Sequence, residues 1–205
     1  MPPFTRLCKI ACCLGLTYLL ASCATMSPEE CQQAQWQDVG QRDGLRGAPL
    51  SVLSSRVEDC AKVDVVVDTQ AYNQGRDLGL ANYCRVENAV PLGLSGAGYA
   101  GVCPPAIEMV FVPRYQVARA VFVARSDIKN LYDRTEYLER RMREINRNED
   151  ERLRSTSSDA ERSKIRRDAD DDRRNTRNEL LETDRRLHRK RDELRAAEFD
   201  LSNLR

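Results

Sequence analysis

VFVARSDIKNLYDRTEYLERRMREI, residues 121–145, carries apolar or small side chains at alternating intervals of three and four residues. That spacing is the a and d register of a coiled coil, in which one stripe of a helix faces a partner helix. No proline or glycine follows Pro113, so the pattern predicts a long uninterrupted helix. The register positions are Val121, Ala124, Ile128, Leu131, Thr135, Leu138, Met142 and Ile145.

A second block with the same register occupies residues 176–204. Between the blocks lies Ser155-Thr156-Ser157-Ser158, and Ser158 with Glu161 has the pattern of a capping box. Either the chain reverses at 155–158 and the blocks pair as an antiparallel hairpin, or one helix runs through and pairs with a second chain. The matched arm lengths favour the hairpin, with a frayed tip over residues 149–172. The second block comprises Thr176, Leu180, Thr183, Leu187, Lys190, Leu194, Ala197, Leu201 and Leu204.

The charges of this region balance. Charged residues make up 32% of the chain, yet the formal net charge is +1. Arginine pairs such as Arg166-Arg167 alternate with acidic residues, and i,i+4 pairs such as Glu182–Arg186 are expected to neutralise them. The composition predicts a solvated helix surface and no nucleic-acid partner.

The N-terminus has the form of an export signal. Arg6 and Lys9 precede an uncharged run over residues 10–21, which is too short to cross a hydrocarbon core about 30 Å thick. Leu20-Ala21-Ser22-Cys23 resembles the lipobox of bacterial lipoproteins. The resemblance implies that residues 1–22 are removed and that Cys23 carries the acyl chains, palmitate among them. An ordinary signal peptide cleaved nearby and a buried N-terminal helix are the alternatives.

Four of the eight cysteines remain for the folded domain once the signal peptide and the lipidated cysteine are set aside. An even number of cysteines in an exported domain indicates disulfides. A four-cysteine metal site is the competing interpretation, but no pair has the Cys-x-x-Cys spacing. We therefore expect two disulfides and no metal or other cofactor. The four are Cys31, Cys60, Cys84 and Cys103.

Three short helices are predicted before the arm. Ser27-Pro28-Glu29-Glu30 combines a capping box with proline at the first helical position, and predicts a helix to about Leu45. A second helix is expected to open at Pro49. Asp68 caps a third, from about Thr69 to Glu87, after an extended segment over residues 63–67. The predicted apolar face of the second helix is Leu50, Leu53, Val57 and Cys60.

This helix map favours one of the three possible cysteine connectivities. The short turn between the first two helices makes them antiparallel, which brings Cys31 and Cys60 together. Cys84 ends the third helix, and a glycine-rich loop lets Cys103 fold back on it. We therefore predict the pairs Cys31–Cys60 and Cys84–Cys103.

Glycines recur at helical spacing on the first and third helices. Glycine inside a helix costs about 1 kcal/mol relative to alanine, so its repetition indicates that two backbones approach closely. The functional alternative is a ligand notch beneath Trp36 and Tyr72. The glycines are Gly40 and Gly44 on the first helix, and Gly75 and Gly79 on the third.

The order and spacing of these residues resemble a family of bacterial lipoproteins that carry a domain of unknown function, DUF2799. The likeness covers roughly residues 28–115 and implies a lipoprotein address and paired cysteines, but no activity. The residues that carry it are Trp36, Gly40, Asp43, Gly44, Gly47, Cys60, Tyr72, Gly75, Arg76, Gly79, Leu80, Tyr83, Cys84, Gly96, Tyr99, Gly101, Val102, Cys103 and Pro104.

Signatures of catalysis are weak. His188 is the only histidine and lies in the charged arm, so no Ser/His/Asp set can be assembled. Residues 96–101 match Gly-x-Gly-x-x-Gly, but no apolar strand precedes them and Pro104 follows, against the dinucleotide-binding pattern. Asp43 is expected to form a structural bridge with Arg76. A hydrolase that uses carboxylates needs no histidine, and Asp38, Asp43 and Asp77 lie on the glycine-bearing helices.

The sequence thus predicts an all-α protein with a disulfide-stapled three-helix head, residues 23–113, and a coiled-coil hairpin arm, residues 114–205. We expect a non-enzymatic envelope lipoprotein that docks or spaces protein partners through its arm. Ala24 follows the lipidated cysteine where aspartate would signal inner-membrane retention, which favours the outer membrane, facing the periplasm. The alternatives are a head that binds or senses a small ligand and, more weakly, a carboxylate-based hydrolase.

Overall fold

The structure is a computed structural model that describes residues 25–204. Within that range the chain forms seven α-helices and one 3-10 turn, and no β-strand, which confirms the all-α prediction. The predicted signal peptide, residues 1–22, and the predicted lipidation site Cys23 lie outside the described residues. The helices are α1 Pro28–Gln33, α2 Trp36–Leu45, α3 Ser51–Ala61, α4 Thr69–Tyr83, α5 Ala89–Ser95, α6 Pro105–Ser155 and α7 Asp159–Ser202, with the 3-10 turn at Val86–Asn88.

The described chain divides into two compact units. The first contains residues 25–84 and 100–103, and the second contains residues 85–99 and 104–204. The predicted boundary between residues 113 and 114 lies inside α6, because the helix continues through Pro113. Proline removes one amide hydrogen bond from a helix interior, yet α6 continues on both sides of Pro113. We therefore correct the start of the arm helix to Pro105.

The first predicted helix is two helices. Its capping box is present, since Glu30 N donates to Ser27 Oγ and Ser27 N donates to the Glu30 carboxylate. The helix ends at Gln33, and Ala34 adopts an extended conformation before α2 begins. The break lets Cys31 pack into an apolar cluster while the glycines of α2 face α4. A local capping signal cannot reveal such a break.

The helix predicted at Pro49 is α3, but its predicted apolar face is only partly buried. Cys60 is fully buried and Leu53 packs against its cluster, whereas Leu50 and Val57 are exposed. The Asp68 cap is present through a bond from Ala71 N, and α4 then ends at Tyr83, four residues before the predicted end.

The disulfides join Cys31 to Cys60 and Cys84 to Cys103, the connectivity that the helix map favours. Cys31 and Cys60 form a small apolar core with Met26 and Val67, against which Trp36 packs. A head with so little apolar core depends on crosslinks for its stability.

Removing the Cys31–Cys60 disulfide with the double change Cys31→Ala and Cys60→Ala should destabilise the head by about 3 kcal/mol, because the unfolded chain regains the freedom of a closed loop. That loop spans 29 residues, against 19 for Cys84–Cys103. Urea unfolding followed by circular dichroism measures the loss. The matched double change at Cys84 and Cys103 should cost slightly less, and equal stability of all three proteins would contradict the prediction.

The second unit contains a short helix, α5, that was not predicted from the sequence. The 3-10 turn and α5 occupy residues expected to form only the end of the third helix and a glycine loop. Gly96 ends α5 with a positive φ of 79°, and a side chain there would collide with the ring of Phe122. Gly93 lies against the Tyr115 carbonyl and Ala118 of α6. These contacts pack α5 directly on α6.

The hairpin prediction is confirmed. α6 and α7 pair as antiparallel helices on either side of a turn at Thr156–Ser158. Ser158 caps α7 by accepting from Glu161 N. Arg162 closes the end of α6, since its Nη1 donates to the carbonyls of Leu153 and Thr156 at 2.6 and 3.1 Å.

Every predicted seam position in the two blocks is buried or half-buried. Thr176 and Thr183 satisfy their hydroxyls by donating to the carbonyls four residues earlier, at 2.8 Å each, so they enter the seam without an unpaired polar group. The predicted frayed tip is wrong. Helix and seam continue there through buried Ile165 and Ala169 and an ion pair between Glu149 and Arg173.

The surface of the arm is charged and exposed. The predicted ion pair between Glu182 and Arg186 is wrong. Glu182 pairs with Arg185 and Arg189 at 3.9 and 3.4 Å, rather than with Arg186. His188 is exposed and lies 3.7 Å from Asp184 one turn earlier. The surface is thus a mixture of both charges, as expected of a solvated helix face.

Candidate functional site

Helices α2 and α4 cross with their backbones in contact. A Cβ added to Gly40 would lie 1.9 Å from the Tyr72 carbonyl oxygen, and one added to Gly75 would lie 1.8 Å from that of Gln37. A Cβ added to Gly44 or to Gly79 would likewise lie only 2.3 Å from a backbone oxygen of the facing helix. The predicted close packing is therefore present, and four glycines are what permits it.

Both aromatic residues of the predicted notch take part in the packing of the head. Tyr72 is completely buried, and Trp36 is half-buried against the core around the Cys31–Cys60 disulfide. Their positions are those expected of core residues.

A buried polar network joins helices α2, α3 and α4. Its centre is Asp43, which is 4% exposed. Arg56 from α3 binds both carboxylate oxygens, with Nε 3.0 Å from Oδ2 and Nη2 2.9 Å from Oδ1. The hydroxyl of Tyr72 from α4 donates to Oδ2 at 2.7 Å. The network therefore links three helices through one carboxylate, with bidentate geometry that favours strong charge-assisted bonds.

The predicted Asp43–Arg76 bridge is wrong. Arg76 instead donates from Nη2 to the Ala48 carbonyl at 2.9 Å, and Arg56 takes the carboxylate. Nothing in the local sequence marked Arg56, because its partner lies 13 residues away on another helix. On α2, Arg42 Nε donates to the main-chain carbonyl of Asp38 at 3.4 Å.

The same network bears on the hydrolase interpretation. Both oxygens of Asp43 are engaged by Arg56 and Tyr72, so this carboxylate is occupied as a structural anchor. A general base needs an oxygen within reach of the substrate proton. The geometry at Asp43 supports a crosslink between helices better than it supports proton transfer.

Burial, and secondly the hydrogen bond to Asp43, together raise the pKa of Tyr72 to about 12. A free tyrosine titrates near pH 10, so the folded head holds this proton more tightly than the unfolded chain does. The contribution to the free energy of unfolding is complete below pH 10 and is lost as pH rises toward 12.

We expect the urea stability of the oxidised protein to fall between pH 10 and 12, and Tyr72→Phe to flatten that fall, because phenylalanine has no proton to lose. The measurement compares unfolding free energies of both proteins at several pH values from 8 upward. Parallel curves for the two proteins would contradict the assignment.

A polar depression of about 710 Å³ adjoins the network, with Asp43 and Arg56 in its wall. Arg42 and Arg46 line it from α2, and Thr25 and Met26 line it from the N-terminal side. No cluster of three or more histidine, cysteine or acidic side chains suitable for a metal ion exists among residues 25–204.

Tyr83, Tyr99 and Gly101, which were also singled out from the sequence, are not among the residues that line this depression. Tyr99 belongs to the second unit, with its ring centre 5.2 Å from that of Phe111 and its hydroxyl bonded to Glu108. Gly101 has a positive φ of 66° beside Cys103. Tyr83 lies under Gly47, whose added Cβ would be 2.2 Å from the ring. Each has a packing or turn role.

Residues 35–120 match the DUF2799 family model, whose description is "Protein of unknown function". The chain is similar to the DUF2799 family over this stretch, which is less than half of its length. The match begins one residue before α2 and ends within α6, so it includes the glycine crossing and the Asp43 network. Most of the hairpin lies outside the DUF2799 region. Comparison with curated proteins and with solved structures gives no match.

Proposed function

We propose that this protein is a lipid-anchored envelope protein that docks or spaces protein partners with its helical hairpin. The hairpin carries the proposal: α6 and α7 contain 51 and 44 residues, which correspond to about 75 and 65 Å of helix. Its seam is lined by buried apolar side chains, and its outer faces are mostly charged, with exposed apolar side chains such as Leu181 and Phe199 among the charges. Such an arm suits reach and contact rather than the enclosure of a substrate.

The proposed anchor is supported by the lipobox-like Leu20-Ala21-Ser22-Cys23 and by disulfides, which persist in oxidising compartments. None of the helices among residues 25–204 is long and apolar enough to span a bilayer. Ala24 supports outer-membrane placement, on the periplasmic face. Labelling with palmitate and mass analysis of the N-terminal peptide test the anchor directly.

A shortened arm tests the spacing role. Deleting Ala124–Tyr137 and Thr183–Ala196 removes two heptads from each helix, so the seam register continues and the tip surface is unchanged. The tip should move by about 21 Å. We expect photo-crosslinks from a probe at exposed Arg154 to partner proteins to be lost, while circular dichroism shows a folded hairpin.

The matched control duplicates the same two segments, which lengthens the arm by the same distance and should also abolish the crosslinks. Retention of the same crosslinked partners at the original yield in both variants would contradict a spacing role. Loss in the shortened protein alone would indicate a minimum reach.

The depression beside Asp43 favours a second candidate, a head that binds a small polar ligand. Arg42, Arg46 and Asp38 are among the residues that line it. A thermal shift with an envelope metabolite that disappears in Arg46→Ala, but not in Trp36→Phe, would support this candidate.

A further inference from the structure

The first described residues of the chain are held firmly on the head. Thr25 donates from its main-chain N and from Oγ1 to Oδ2 of Asp59, at 2.6 and 2.9 Å. Arg56 Nη1 reaches the Thr25 carbonyl at 3.5 Å. Met26 is buried in the core around the Cys31–Cys60 disulfide. From residue 25 onward, the chain is therefore fixed to the head by hydrogen bonds and packing.

This attachment matters because of where the proposed anchor lies. Only Ala24 separates Cys23 from Thr25, and two residue steps span at most about 7 Å. If Cys23 carries diacylglycerol, as the proposed function holds, the head has no linker with which to stand away from the bilayer. The part of the head around Thr25 must then lie at the membrane surface.

The loop over residues 63–67 packs on the same apolar cluster as Met26, the neighbour of Thr25, and one of its side chains is exposed. Along residues 63–67 the valines alternate, so that Val63, Val65 and Val67 pack on the cluster that contains Met26. Val66 points the other way and is 90% exposed, more than any other large apolar side chain described. Asp64 shapes this loop with a positive φ of 58°, which is uncommon for a residue other than glycine.

We propose that the head is seated directly on the bilayer of its own anchor, with the 63–67 loop as the contact and Val66 inserted in the lipid interface. The occupant of this surface is the lipid bilayer, because the length of chain from Cys23 leaves room for little else beside Thr25. This inference rests on the proposed lipid anchor and adds an orientation of the head to it.

The test places a tryptophan at Val66 in the full-length lipidated protein, reconstituted in phosphatidylcholine vesicles with and without brominated acyl chains. Each variant keeps Trp36, and the parent protein supplies the background. We expect Val66→Trp to add a blue-shifted emission that brominated lipid quenches at least twofold. The matched control is Leu78→Trp, another exposed apolar position, 57% exposed on α4, which should show neither effect.

A second variant distinguishes contact of the 63–67 loop with the bilayer from the lipid anchor itself. Ten glycine and serine residues inserted after Ala24 in Val66→Trp should leave acylation and vesicle flotation intact but abolish the quenching. Quenching that survives the insertion, or that is equal at positions 66 and 78, overturns the proposed seat while the anchor stands. A purified chain without acyl groups by mass spectrometry overturns the anchor and the seat together.

Discussion

Replacing Gly75 with alanine should destabilise the head by about 3 kcal/mol or more, because the new methyl group has no room. Its Cβ would lie 1.8 Å from the Gln37 carbonyl oxygen, and a backbone atom of a packed helix cannot swing aside. Helix propensity alone predicts the opposite sign, a gain of about 1 kcal/mol. The sign of the effect therefore tests the crossing itself.

Urea unfolding followed by the fluorescence of Trp36, the only tryptophan, measures this change. Gly98→Ala is the matched control, since nothing lies within 4 Å of the position its Cβ would take. Gly40→Ala should behave like Gly75→Ala. Unaltered or increased stability in Gly75→Ala would show that α2 and α4 do not meet at their backbones.

The change Asp43→Asn should cost about 3 to 5 kcal/mol, because it leaves the Arg56 guanidinium without its countercharge in a largely buried position. The Arg56 side chain is 14% exposed, so water can compensate only in part. Asparagine keeps the size of the side chain and can still accept from Tyr72. The loss thus reports mainly on the charge pair.

Arg56→Met supplies the second half of the cycle, and the double variant Asp43→Asn/Arg56→Met should recover much of the loss, since no charge then remains buried without a partner. The free energies of unfolding of all four proteins give the coupling. Additive losses would contradict the paired network, and a stable Asp43→Asn protein would reopen a role for this carboxylate in chemistry.

Much of the architecture was predictable because its causes are local. A hydrophobic repeat of three and four specifies a long helix, and Ser158 with Glu161 specifies where the second one starts. Glycines at helical spacing favoured a close crossing of two helices, because each glycine lowers the stability of its own helix and close packing of the backbones can offset that loss. The cysteine pairs followed from helix order, which limited which sulfur atoms could meet.

The errors share a different cause. Pro113 was expected to precede the arm helix, but it lies inside α6, where contacts with α5 hold the turns around it. α5 itself went unpredicted, because its seven residues carry little helical signal without the α6 surface beneath them. The tip seam was missed because Ile165 lies one residue off the register of the second block, although Ala169, seven residues before Thr176, continues it.

From the sequence alone, helical periodicity, end caps and cysteine number determined an all-α, disulfide-braced head followed by a long helical arm, and favoured a hairpin for that arm. Only the tertiary structure decided that Arg56, not Arg76, neutralises Asp43, that the helix expected over residues 28–45 breaks at Ala34, and that Thr25 is bound to Asp59. The physical reason is range. Caps and periodicity act within one or two turns of a helix, whereas a buried charge is paired by whichever distant side chain packing brings within 3 Å.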